Sequence, residues 1–245
     1  MRRDSLRRHA PAARHRRTGA RRVSAPSDPL IRAARWVKGG GLLAYPTETV
    51  WGLAADSRSA EAMLRLQRWK GRGADAPVSV LVDNVEAAEA QGAAFSGPAR
   101  LLADAFWPGP LTLIVPTEHR FAPGVARADG AVGLRCSSHP LAGALARRLD
   151  REGGGPPTAT SLNRSGEPPA AHRDAARVCC GVGPGTPVSG CSSDAPRLLD
   201  VDGAECGGEE PTTVIDATEK PPRVLRWGAI DSNALGPLLG EWSGS

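Results

Sequence analysis

Four clusters of hydrogen-bonding and cationic side chains stand out in this sequence, because their types and spacing could hold an anionic ligand. The first is Tyr45-Pro46-Thr47-Glu48-Thr49-Val50-Trp51-Gly52-Leu53. The apolar run at 42–45 reads as a buried strand ended by Pro46, and polar side chains at a strand end lie where α/β proteins bind ligands. A capped turn would use the same residues. The second is Lys70-Gly71-Arg72 at a predicted helix end. A Lys point charge and an Arg fork hinged by Gly can converge on phosphate oxygens, or simply complement a helix C-terminus. The third, Thr158-Ala159-Thr160-Ser161-Leu162-Asn163-Arg164-Ser165-Gly166, is either a polar turn or a donor-rich loop. On extended backbone its Ser161 and Asn163 face the same way. The fourth pairs Thr212-Thr213-Val214-Ile215-Asp216 with Val224-Leu225-Arg226-Trp227-Gly228, where a surface Arg is the plainer reading of Arg226.

No GxxxxGK[ST] and no strand-linked GxGxxG occurs, so a nucleotide here would be held without a P-loop or a Rossmann turn. No Ser/His/Asp triad, paired-carboxylate device or metal-ligand spacing is visible. The five cysteines, Cys136, Cys179, Cys180, Cys191 and Cys206, are odd in number and form no CxxC pair. Free thiols in a reducing, cytoplasmic setting are expected.

The elements that must position these clusters alternate irregularly. Helices are expected near 30–38, at 59–69 after Ser59, at 98–105 and at 141–149. Strands are expected at 42–45, 78–82, 111–115, 131–135, 158–160, 198–201, 212–216 and 223–226, with a long loop at 181–195. The fold class is therefore α/β, a single domain with one twisted, mixed sheet flanked by helices.

A net charge of +5 suggests a nucleic-acid binder until it is divided along the chain. Nine of the 31 basic residues and one of the 26 acidic residues fall in the first 22 positions; the remainder, with 22 basic and 25 acidic, is about −3. Residues 1–28 read as a disordered Arg-rich arm, 29–235 as the folded domain and 236–245 as a tail. No stretch approaches the ~20 apolar residues of a membrane-spanning helix.

Taken in order, the clusters resemble the TsaC/YrdC family of threonylcarbamoyl-AMP synthases over about residues 30–230. Tyr45–Leu53 is similar to the family's opening motif, Lys70-Gly71-Arg72 to its Lys-x-Arg, and Ser161-Leu162-Asn163 to its Ser-x-Asn. Phe106–Thr112 resembles its WPGPxT turn, and Val132–Pro140 its VRxxxHP segment. The sequence departs from the pattern at Gly73, Ala76, Thr212 and Trp227, where Pro, Lys or Asn, Ser, and Pro are usual.

The resemblance implies that the sheet is open around a concave cavity. It also implies an enzyme that condenses L-threonine, bicarbonate or CO2, and ATP with Mg2+ to threonylcarbamoyl-AMP and pyrophosphate. The product would pass to a tRNA threonylcarbamoyltransferase complex. Lys70, Arg72, Ser161, Asn163 and Arg226 would hold ATP, with Lys70 and Arg72 stabilising charge in the reaction. Thr47, Arg135 and Thr212 would hold threonine, with Arg135 on its carboxylate. The short, single-domain form is expected. The alternative is an RNA- or ribosome-associated protein of the same fold without synthase activity, since weak tRNA or double-stranded RNA binding is attributed to the family. The two readings separate on turnover, since salt-dependent RNA binding without ATP turnover would favour the second. A protein starting near Pro29 is expected to keep pyrophosphate release while losing salt-sensitive tRNA retention. Loss of synthesis in the folded truncation would show that the arm belongs to the site.

Overall fold

The computed structural model describes residues 28–73, 76–182, 195–201 and 205–240. The Arg-rich arm before Asp28, most of the expected loop at 181–195, Cys191 and residues 241–245 lie outside the described residues. The helices are α1 (Pro29–Lys38), α2 (Ala60–Lys70), α3 (Val85–Glu89), α4 (Gly97–Phe106), α5 (Pro140–Arg151), α6 (Arg173–Cys179) and α7 (Ser232–Gly240). The strands are β1 (Leu43–Tyr45), β2 (Gly52–Ala54), β3 (Val80–Leu81), β4 (Leu111–Pro116) and β5 (Ala131–Arg135). After them come β6 (Thr160–Ser161), β7 (Arg197–Leu198), β8 (Thr213–Asp216) and β9 (Arg223–Arg226).

Local chemistry sets the helix ends. Asp28 accepts a hydrogen bond from Leu30 N at 2.9 Å with Pro29 in the first turn of α1. Ser59 accepts from Ala62 N to open α2. Gly71 closes α2 with φ +65, a left-handed conformation that suits glycine. His139 caps α5, accepting from Leu141 N, with Pro140 following.

The single sheet expected from the sequence is instead two mixed sheets. One has the order β6-β2-β1-β7 and the other β3-β5-β4-β8-β9. They meet where Val80 bridges Thr158, with Ala159 N donating to Ser79 O at 2.7 Å and Leu81 N to Pro157 O at 2.7 Å. Joined by backbone at that corner, the sheets open away from each other and leave a cleft.

Alternation along the five-stranded sheet divides core from cleft. Leu111, Leu113 and Val115 on β4, Val132 and Leu134 on β5, and Ile215 on β8 enter the main core with Met63, Leu66 and Leu102. The intervening Thr112, Ile114, Gly133, Arg135 and Val214 face the cleft. β1 is buried on both sides: Ala44 joins the main core, while Leu43 and Tyr45 pack with Val37, Leu145 and Leu149 beneath α1 and α5.

The sequence did not mark β2, α3, α6 or α7. β2 is Gly-Leu-Ala without β-branched residues, α3 has only five residues, and α7 contains Pro237. The expected boundary at 235/236 falls inside α7, where Leu235 is fully buried and Leu238 packs on the core. Two-residue β6 and β7 are shorter than the strands expected there.

Gly52 pairs with Tyr45 across the β1–β2 ladder, and a Cβ on it would lie 2.6 Å from the Tyr45 ring. Gly52→Ala is expected to lower stability by roughly 1–3 kcal/mol through overpacking. Gly73→Ala, which meets nothing within 4 Å, should leave stability unchanged. Chemical denaturation of both variants checks the contrast.

Candidate active site

The cleft is a cavity of about 710 Å3 between the sheets, within the usual range for small-molecule sites. Lys70, Arg72, Arg127, Arg135 and Arg226 line it, and no carboxylate does so among the described residues. Such a wall selects for anions.

At one end stands the junction of α2 with the segment after β6. Lys70 is 4% exposed, and its Nζ donates to Ser161 O at 2.7 Å, Asn163 O at 3.1 Å and Asn163 Oδ1 at 3.1 Å. Ser161 Oγ donates to Asn163 Oδ1 at 2.7 Å, and Asn163 Nδ2 donates to Glu167 O at 2.6 Å. Ser161 and Asn163 therefore do face one way, and both line the cavity. Arg72, just past the Gly71 turn, is exposed on the same wall. Burial first, and the Arg72 charge second, push the Lys70 ammonium down to about 8.

In the middle of the cleft, on β5, lies Arg135, 6% exposed. Its Nη2 donates to Thr49 Oγ1 at 2.6 Å, Thr47 Oγ1 at 3.0 Å and Glu48 Oε1 at 3.1 Å. Ser137 Oγ donates to the other oxygen of Glu48. Arg135 Nε is buried and has no hydrogen-bond partner. Thr47 itself is fully buried, donates to Val50 O at 2.7 Å and is absent from the cavity wall. Its place is behind Arg135.

Farther along the same sheet, Arg226 on β9 donates through Nε and Nη2 to Thr212 O, at 3.2 and 2.9 Å, and through Nη2 to Thr212 Oγ1 at 3.0 Å. Burial first, then the charge of Arg135, lower the Arg226 guanidinium from its ordinary value, so the two cations face a common space. Thr212 Oγ1 lies 3.1 Å from Thr112 Oγ1. Arg127, also on the wall, is paired with Asp129 and with the fully buried Asp216. Burial would raise the Asp216 carboxyl, but hydrogen bonds from Thr218 and Arg127 hold it below the usual range.

Seven of the eight residues singled out in the sequence thus line one cavity: Lys70, Arg72, Arg135, Ser161, Asn163, Thr212 and Arg226. Sequence reasoning did not name Glu48, Thr112, Ser137 or Arg127. Glu48 and Thr112 lie inside the quoted motifs, which offered a signal. Arg127 sits in a loop with no periodicity to mark it.

A family model described as "Telomere recombination", that of the Sua5/YciO/YrdC proteins, matches residues 35–183. The chain belongs to the Sua5/YciO/YrdC family. A relative from Chromohalobacter salexigens, named threonylcarbamoyl-AMP synthase, is 33% identical over 190 residues, covering 78% of this chain and 93% of that one. A Pyrococcus abyssi protein of the same name is 32% identical over 211 residues, covering 85% of this chain and 56% of its own. The structure of P. abyssi Sua5 complexed with L-threonine has a TM-score of 0.73 at 30% identity, over 87% of this chain and 58% of that chain. The chain therefore spans a little over half the length of the Pyrococcus proteins it matches. Membership in the Sua5/YciO/YrdC family agrees with a mixed α/β domain of open sheets and with an ATP-using enzyme.

The Lys70 shift carries a pH dependence. With a folded value near 8 and an ordinary value of 10.5, the charged form is disfavoured by folding. Stability should therefore rise with pH from about 8 to 10.5, while anion binding falls as Lys70 loses its proton through about 8. Nucleotide affinity measured from pH 6.5 to 9.5 should show this inflection, and Lys70→Met should remove it.

Proposed function

We propose that this protein is an L-threonylcarbamoyladenylate synthase, a nucleotidyltransferase that joins L-threonine, bicarbonate and ATP. The observation that carries the reading is one cavity walled by five cations, buried Arg135 among them, and no carboxylate among the described residues. In P. abyssi Sua5 such a fold is complexed with L-threonine, and relatives bear the synthase name.

Arg135 takes the carboxylate of threonine, with Thr47, Thr49 and Glu48 fixing its guanidinium from behind. Thr212 lies farther along the same sheet, beyond Thr112, on the side-chain and amine side of the substrate. Lys70 and Arg72 face the triphosphate, Ser161 and Asn163 orient it, and Arg226 approaches from the opposite wall. The neutral amine of threonine adds to the carbon of bicarbonate with loss of water, giving a carbamate. A carbamate oxygen then attacks the α-phosphorus of ATP, and pyrophosphate leaves. Charge grows on the departing phosphates, where fixed cations stabilise it without a protein acid or base.

Mg2+ would shield the triphosphate charge. The wall supplies no carboxylate for it among the described residues, so the ion would be carried by the nucleotide's own phosphates and water. The adenylate product is a reactive mixed anhydride, suited to transfer onto tRNA by a cytoplasmic threonylcarbamoyltransferase.

Purified protein with ATP, labelled bicarbonate and threonine should yield labelled threonylcarbamoyl-AMP with one pyrophosphate each; no adenylate from well-folded protein would sink the assignment. Arg72→Ala should lose ~10–100-fold in kcat/KM, as expected for one charge-assisted contact, with little change in unfolding midpoint because Arg72 is exposed. Lys70→Ala should lose activity and stability together, because its ammonium also ties α2 to the segment after β6.

A further inference from the structure

Thr112 carries none of these roles, yet it sits at the middle of the cavity floor. It is 3% exposed and lies on β4 directly opposite Arg135 on β5. Threonine is a costly choice for so buried a position unless its hydroxyl is satisfied. Within the protein it is only half satisfied. The Thr112 and Thr212 hydroxyls are 3.1 Å apart and share one hydrogen bond. Arg226 Nη2 donates to Thr212 Oγ1 at 3.0 Å. Two hydroxyls bring two protons, and their mutual bond uses one. No other acceptor among the described residues is bonded to either hydroxyl, and both side chains line the cavity.

The guanidinium decides where the spare proton lies. A hydroxyl that accepts from a cation becomes the stronger donor. Thr212 therefore donates to Thr112, and the Thr112 proton is left to the cavity. On the adjacent strand, Arg135 lines the same cavity, and its Nη1 makes no hydrogen bond among the described residues, its acceptors all being on Nη2. Side chains directly opposed across an antiparallel pair are close enough to touch one small ligand. A hydroxyl donor beside a guanidinium edge, on an apolar floor formed by Ile114 and Val214, matches a planar monoanion with two oxygens.

We infer that Thr112 is a substrate-binding residue, whose hydroxyl and Arg135 together hold a carboxylate-type anion. Resting on the synthase reading above, that anion is either the carboxylate of threonine or bicarbonate. The relay Arg226–Thr212–Thr112 then runs along one wall of the cleft, the five-stranded sheet, to the substrate's charge beside Arg135.

The test uses the full-length protein with Thr112→Val, which removes the hydroxyl at nearly constant shape, and Thr112→Ser, which keeps it. Three quantities are read: the Kd of L-threonine by calorimetry, the KM of bicarbonate by pyrophosphate release, and the Kd of ATP. Thr112→Val should weaken threonine or bicarbonate by ~10–100-fold, the loss of one hydrogen bond to a charged group, and Thr112→Ser should restore it. ATP affinity and the unfolding midpoint should change little. The constant that moves identifies the anion. Unchanged constants for both anions, or a parallel fall in ATP affinity and stability, would overturn the assignment. If wild-type protein made no adenylate but bound threonine, and Thr112→Val lost that binding, the reaction would fail and the subsite would stand. A wild-type protein binding neither anion would sink both.

Discussion

The structure depends on how a buried guanidinium is kept. Arg135 is 6% exposed in the middle of a cleft, and an unpaired cation there would cost several kcal/mol. Three acceptors meet its Nη2, and all come from the short segment after β1: Thr47, Glu48 and Thr49. β1 belongs to one sheet and β5 to the other. The ion pair therefore does two things. It ties the sheets through side chains one strand away from the backbone corner at Val80 and Thr158, since Arg135 is in register with Leu81. It also turns the remaining edge of the guanidinium toward the space between them.

Around that anchor the cations differ in how far their charge is already answered. Arg127 is held between two carboxylates, and Arg135 faces one. Among the described residues, Lys70 has only carbonyl and amide oxygens, and Arg226 only the backbone and hydroxyl oxygens of Thr212. The depressed values of Lys70 and Arg226 register that difference, since burial and neighbouring cations penalise charge without a counterion. An arriving polyanion supplies what the protein withholds, so ligand charge and protein stability are coupled at these two positions. The glycine hinge at Gly71 matters for the same reason: it ends α2 so that Lys70 turns inward and Arg72 stays at the surface.

The strands legible in the sequence include a continuous apolar run at 42–45 and longer segments with an apolar face, such as Leu111–Pro116 and Ala131–Arg135. Alternation there reports a sheet with one apolar face. Gly52–Ala54 escaped because glycine and alanine carry no strand preference, and α7 because Gly236 and Pro237 break the helical pattern. The motif residues were legible one by one, but their division of labour was not. Thr47 and Thr112 look alike in the sequence, as a hydroxyl at the edge of an apolar run. Thr47 ends up behind Arg135, and Thr112 beneath the cavity.

The sequence by itself determined the α/β class, the helix ends at Ser59 and Gly71, the separation of a basic arm from an acidic body, and the set of side chains able to meet an anion. These are properties of composition, local hydrogen bonding and short periodicity. Tertiary structure alone decided that there are two sheets rather than one, that Arg135 and Glu48 pair across them, and that Lys70, 91 residues from Ser161, closes on its carbonyl. Those contacts join segments far apart in the chain. Their geometry comes from how two twisted sheets meet at one corner, and no local pattern of residues encodes that angle.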